Sequence, residues 1–89
     1  MLKKYINENQ IKNVEKNGYL IINGERHLII NIPNQPIEIL NANGIYEYIE
    51  NERPEEREGY YIIFKYKLID NIIYKTYEYV EIEEDEEEI

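Results

Sequence analysis

The stretch that most constrains this chain runs from Tyr60 to Glu83, YYIIFKYKLIDNIIYKTYEYVEIE. It holds two long runs of β-branched and aromatic residues, the types that suit a pleated, half-buried strand. Between them stand Asp70 and Asn71. Both tolerate positive φ, which a two-residue type I′ hairpin turn needs at its two central positions. Such a turn sets the register: Ile69 faces Ile72, Leu68 faces Ile73 and Phe64 faces Tyr77. Side chains alternate across a strand. One face therefore carries Tyr60, Ile62, Phe64, Tyr66 and Leu68 opposite Ile73, Lys75, Tyr77, Tyr79 and Glu81. The other carries Tyr61, Ile63, Lys65, Lys67 and Ile69 opposite Ile72, Tyr74, Thr76, Glu78 and Val80. The first face is the more aromatic and is expected to meet the core. The second mixes charge with apolar groups, as a half-wet face does.

The rest of the chain reads as shorter pieces. Lys3 to Ile6 suits a first strand, followed by a turn at Asn7-Glu8-Asn9. Residues 10–16 fit either a strand or one helical turn, since Ile11 and Val14 stand three apart; the poor helix formers Asn13 and Asn17 favour the strand. Tyr19 to Ile22, Asn23-Gly24, and Glu25 to Ile32 form a second hairpin signal, closed by Pro33. Pro36 in a first turn, Glu38 near the positive end of the dipole and Gly44 as a left-handed stop predict a short helix, with Ile37 and Leu40 as its buried stripe. Ile45 to Glu50 alternates as a strand, and residues 51–59, NERPEEREG, read as a polar linker. The fold class is α+β, mainly β: a small antiparallel sheet built from hairpins, one short helix and an acidic C-terminal tail. Residues 1–82 form a single small domain and residues 83–89 the tail.

Charge is unevenly placed. Of the net −9, seven acids lie in Glu81, Glu83, Glu84, Asp85, Glu86, Glu87 and Glu88; the remaining twelve acids nearly balance ten bases. A chain with this balance is a poor direct ligand for nucleic acid and a good match for a protein with a basic surface or nucleic-acid channel. The acidic run has two readings: a solvated end that keeps the domain soluble, or a polyanion offered to a basic groove. No apolar run approaches a membrane span or a signal peptide core, so no membrane partner and a cytoplasmic location in a bacterial host cell are expected.

Catalysis has little to work with. There is no Cys and no Ser, one His (His27) and one Thr (Thr76). Thr76 falls mid-strand and His27 beside Arg26 in a hairpin, so neither is expected to act as nucleophile or general base. The four glycines are scattered one per turn, unlike a phosphate-binding loop. No catalytic, cofactor or metal residues are assigned, and no enzyme activity is expected. Ten tyrosines remain. Tyrosine is favoured at protein interfaces, and Tyr61 and Tyr74, with the acidic run, are the expected partner-binding residues. A monomer is expected rather than a dimer, because a dimer joined along the final strand would align acids.

Lys3-Lys4-Tyr5-Ile6-Asn7, the proline-started helix ending at Gly44, Tyr48-Ile49-Glu50, the Pro54 to Tyr61 segment and the aromatic final hairpin together resemble a class of short prophage-encoded proteins found near tail and lysis genes. The chain departs from that pattern at Gly44-Ile45-Tyr46, where one residue separates the glycine from the aromatic. The resemblance implies a phage-derived protein. Its function would be inhibition of a basic nucleic-acid-binding host defence effector, in the manner of anti-CRISPR proteins, with an RNA-guided RNA nuclease as one target. The alternative is a tail-region accessory or assembly protein.

Overall fold

Asn23 and Gly24, at φ 54° and 80°, turn one hairpin, and Asp70 and Asn71, at φ 50° and 63°, turn another. Those two turns bracket the fold of this computed structural model, which describes residues 1–83. In chain order the elements are β1 (Leu2–Asn7), β2 (Gln10–Asn13), β3 (Gly18–Ile22), β4 (Glu25–Ile29), a 3₁₀ turn (Ile32–Asn34), α1 (Ile37–Ala42), β5 (Ile45–Glu50), β6 (Tyr60–Ile69) and β7 (Ile72–Glu81). The mainly-β class with one short helix holds. Residues 10–13 are a strand, as the asparagines suggested.

Two sheets form. The larger has the order β2-β1-β5-β7-β6, and β3-β4 stand apart as a two-stranded ribbon. Every pair is antiparallel except β5 with β7, which run parallel from Glu47↔Ile72 to Glu50↔Lys75. The nine-residue connection 51–59 and the whole of β6 make that parallel return possible.

The core lies between the sheets. Leu20 of β3, Ile32 of the 3₁₀ turn, Leu40 of α1 and Ile45 of β5 are all at most 5% exposed, with Leu2, Val14, Ile29 and Ile39 packed around them. Burying each such aliphatic side chain contributes about 1.5–3 kcal/mol. The helix begins directly after Pro36, which leaves Ile37 outside at 47% exposure. The buried stripe is therefore Ile39 and Leu40, not the expected Ile37 and Leu40. Asn43 ties the helix end to β3. Its Oδ1 accepts the Ile21 N–H at 2.7 Å, and its Nδ2 donates to the Ile21 carbonyl at 3.0 Å and the Ile39 carbonyl at 2.8 Å. One side chain thus satisfies an edge-strand residue as a neighbouring strand would. Asn31, at φ 69°, ends the ribbon before Pro33. Its N–H donates to Asn17 Oδ1, and the Ile32 N–H donates to the Lys16 carbonyl.

The final hairpin keeps the register read from its turn, residue for residue from Ile69↔Ile72 to Tyr60↔Glu81. Its first face does not form the core, contrary to expectation. Only Ile73 there is fully buried, while Phe64 is 44% and Tyr79 38% exposed. The reason is that β5 reaches β7 only as far as Lys75. Beyond that point β6 and β7 continue as a two-stranded arm. The molecule is consequently long, 62 × 26 × 21 Å, with a radius of gyration of 18.4 Å, against about 12 Å for a compact domain of this length.

Candidate protein-binding surface

The arm is built from Tyr60–Lys65 and Thr76–Glu81, and its first face is an aromatic file. Tyr60 and Tyr79 meet edge to face at 6.0 Å, Phe64 and Tyr66 at 5.4 Å, and Tyr66 approaches Tyr48 at 6.3 Å. Such pairs contribute about 0.5–1.5 kcal/mol beyond the area they bury. Two cations lie on the file. Lys75 Nζ stands 4.7 Å from the Phe64 ring, and the Arg57 guanidinium 4.4 Å from the Tyr60 ring and 5.7 Å from Tyr79. Arg57 belongs to the stretch read as a plain polar linker. That stretch instead folds back on the arm: the Tyr79 hydroxyl donates to the Glu55 carbonyl at 2.6 Å, and the Tyr60 N–H to the Arg57 carbonyl. The sequence put Tyr60 and Tyr79 on one face, but no local signal said that residue 57 returns to the strand it precedes.

Tyr48 stands where the file meets the body. Its hydroxyl donates to Glu50 Oε1 at 3.1 Å. Burial first, and then the Glu50 carboxylate, push its pKa well above the usual tyrosine value.

The expected partner-binding residues separate. Tyr61 is exposed on the second face, opposite Val80; Tyr74 is half-buried on that same face, opposite Lys67. Six ladder positions divide them, roughly 20 Å. Glu81 and Glu83 are exposed at the outer end of the arm. Glu84, Asp85, Glu86, Glu87 and Glu88 lie outside the described residues. Even without them the outer end is acidic: residues 51–60 and 78–83 hold seven glutamates against two arginines. The inner half of the hairpin has the opposite sign, with Lys65, Lys67 and Lys75 against Asp70. Lys65 Nζ lies 3.9 Å from Glu78 Oε2, at the boundary between the two zones.

His27 and Thr76 stand on different sheets. His27 is cross-strand from Leu20 with its Nε2 3.7 Å from Glu25, and the Thr76 hydroxyl donates to the Lys65 carbonyl at 3.3 Å. Among the described residues no group of three His, Asp or Glu side chains is placed to hold a metal ion, and no helix is long and apolar enough to cross a membrane. An open cleft of about 310 Å³ lies between β1, β2 and β3, floored by Leu20, Ile32 and Ile45 and rimmed by Lys4, Lys12 and Glu15. Its floor is the body's own core. No family model, no curated protein and no solved structure matches the chain.

Proposed function

We propose that the chain is a non-enzymatic protein-binding module that presents its arm, acidic end foremost, to a basic groove on a nucleic-acid-handling protein of a bacterial cell. The supporting observation is the coincidence of three properties at one end of the molecule. The arm extends beyond the body, Tyr61, Phe64 and Tyr79 on it stay exposed, and its charge is concentrated in seven glutamates toward the tip. A narrow ribbon with rigid aromatic anchors and a dense anionic end suits insertion into a channel that normally holds a polyanion. Inhibition of a host defence effector, as the resemblance to short prophage proteins implies, is the finer form of this reading.

The test is affinity capture from a nuclease-treated bacterial lysate, read by mass spectrometry. The baits are the full chain and a version stopped after Glu81, each at low and at half-molar salt. Basic nucleic-acid-binding proteins recovered by the full chain, weakened by truncation and lost in half-molar salt, support the proposal. A virion component held equally by both baits at both salts overturns it in favour of phage assembly.

A further inference from the structure

At one edge of the larger sheet lies β6, and its backbone shows which groups are open. The Tyr66 N–H donates to the Glu8 carbonyl at 2.8 Å, and the Tyr5 hydroxyl donates to the Tyr66 carbonyl at 3.4 Å. Tyr66 therefore points its backbone groups away from β7, and strand alternation makes Phe64 and Ile62 point theirs the same way. Among the described residues nothing pairs with the outward groups of those two. At Tyr60 the N–H is taken by the Arg57 carbonyl. The open edge is thus bounded on both sides and centred on Ile63. A groove of about 430 Å³ runs along it, lined by Asn9, Ile62, Ile63, Phe64 and Lys65.

We infer that this edge pairs with the same edge of a second copy, antiparallel, about a two-fold axis at Ile63. Hydrogen bonding selects the register. Ile62 opposite Phe64 of the second copy, and the reverse, uses all four open N–H and C=O pairs. The pairing ends there, and the two strands diverge before Tyr66 and Tyr60, where Glu8 and Arg57 fill the space beside the edge. The side chains agree with it. Ile63 meets its own copy, Ile62 meets Phe64, and Tyr61 lies beside Lys65 of the second copy. No like charges stand opposite each other.

Long-range charge agrees as well. The acidic outer end of each copy comes alongside Lys65 and Lys67 of the other. The two acidic ends are about six ladder positions apart, roughly 20 Å, beyond a screening length of about 8 Å. The other open edge, on β7, behaves differently. A copy pairing there across Tyr77 and Tyr79 would set Glu78 against Glu78 of the second copy, and the Lys75 carbonyl is already taken by the Asn51 N–H. The acids that argued against a dimer from sequence belong to that edge and not to β6.

Sedimentation velocity of the full chain tests this between about 10 μM and about 1 mM, the range suited to a small interface. The mass should rise from one chain toward two, and half-molar salt should reverse part of the rise. Ile62→Lys, with an unchanged circular dichroism spectrum, should stay at one chain throughout. The cysteine-free sequence permits a second, register-specific readout. Ile63→Cys should form a disulfide-linked dimer under mild oxidation, because a non-hydrogen-bonded antiparallel pair sits within disulfide reach. Leu28→Cys, exposed on the body, should not. A single-chain mass at every concentration, or cross-linking no greater for Ile63→Cys than for Leu28→Cys, overturns the inference.

Discussion

In the body, Leu20, Ile32, Leu40 and Ile45 come from four separate elements and meet at exposures of 5% or less. In the arm, Phe64 and Tyr79 come from two adjacent strands and remain 44% and 38% exposed. Both regions are rich in β-branched and aromatic residues, so composition does not distinguish them. What differs is what covers them. The body closes because α1 and the β3-β4 ribbon lie over β1 and β5. The arm has only the strand beside it and the returning segment around Arg57. The body is held by burial and the arm by cross-strand aromatic pairs and cation–aromatic contacts, each contributing about 0.5–1.5 kcal/mol. A two-stranded ribbon alone is marginal in water, and this one stands because its root is the fourth and fifth strands of a sheet.

Four changes would break or sharpen that contrast. The largest effect belongs to Leu40, 2% exposed at the centre of the body. Leu40→Ala should cost about 2–5 kcal/mol in denaturant unfolding, through lost burial and the cavity left behind. A loss under ~1 kcal/mol would mean that the body is not held by this cluster. Next comes Asn43, whose side chain makes three hydrogen bonds to Ile21 and Ile39. Asn43→Ala should cost about 1–3 kcal/mol by leaving those groups unpaired. Amide exchange at Ile21 should rise more than at Ile45.

A smaller effect, confined to the final hairpin, is expected at the Asp70-Asn71 turn. Asn71 sits at φ 63°, so a β-branched side chain there should cost about 1–2 kcal/mol. Asn71→Val should speed exchange along β6 and β7 while leaving β3-β4 unchanged; equal acceleration in both would show one cooperative unit.

The smallest effect is a pH limb. Tyr48 keeps its proton in the folded protein at pH values where the unfolded chain, with an ordinary value of 10.0, has lost it. Its contribution is therefore fully present below pH 10.0 and is lost as the pH rises above it. Thermal melts carried past that point should fall more steeply for the native chain than for Tyr48→Phe.

How much of this was legible in the sequence follows from the range of the interactions involved. Asn23-Gly24 and Asp70-Asn71 announced their turns because positive φ is a local property, and the hairpin registers followed by counting. The parallel join of β5 to β7 was not legible, since it depends on where residues 51–59 lead the chain. The helix stripe was misplaced by the rule that apolar residues three apart share a face: Ile37 and Leu40 satisfy it, but the helix starts at Ile37, whose side chain falls outside the covered arc. At the candidate site, alternation correctly sorted the tyrosines onto two faces. It could not say that the aromatic face would be left half open, or that Arg57 would return to it. Of the two tyrosines expected to bind a partner, Tyr61 is exposed and Tyr74 lies half-buried near the root of the arm.

The measurement that bears most directly on the division between body and arm is native-state hydrogen exchange resolved by residue. The Glu78 and Val80 N–H groups point toward β6, and those of Ile63 and Lys65 toward β7. If the arm is held separately, these amides should exchange through a local opening well below the cost of global unfolding, while Leu20, Leu40 and Ile45 exchange only with the whole molecule. The same opening free energy at Glu78 and at Leu40 would contradict that division and make the arm part of one cooperative fold.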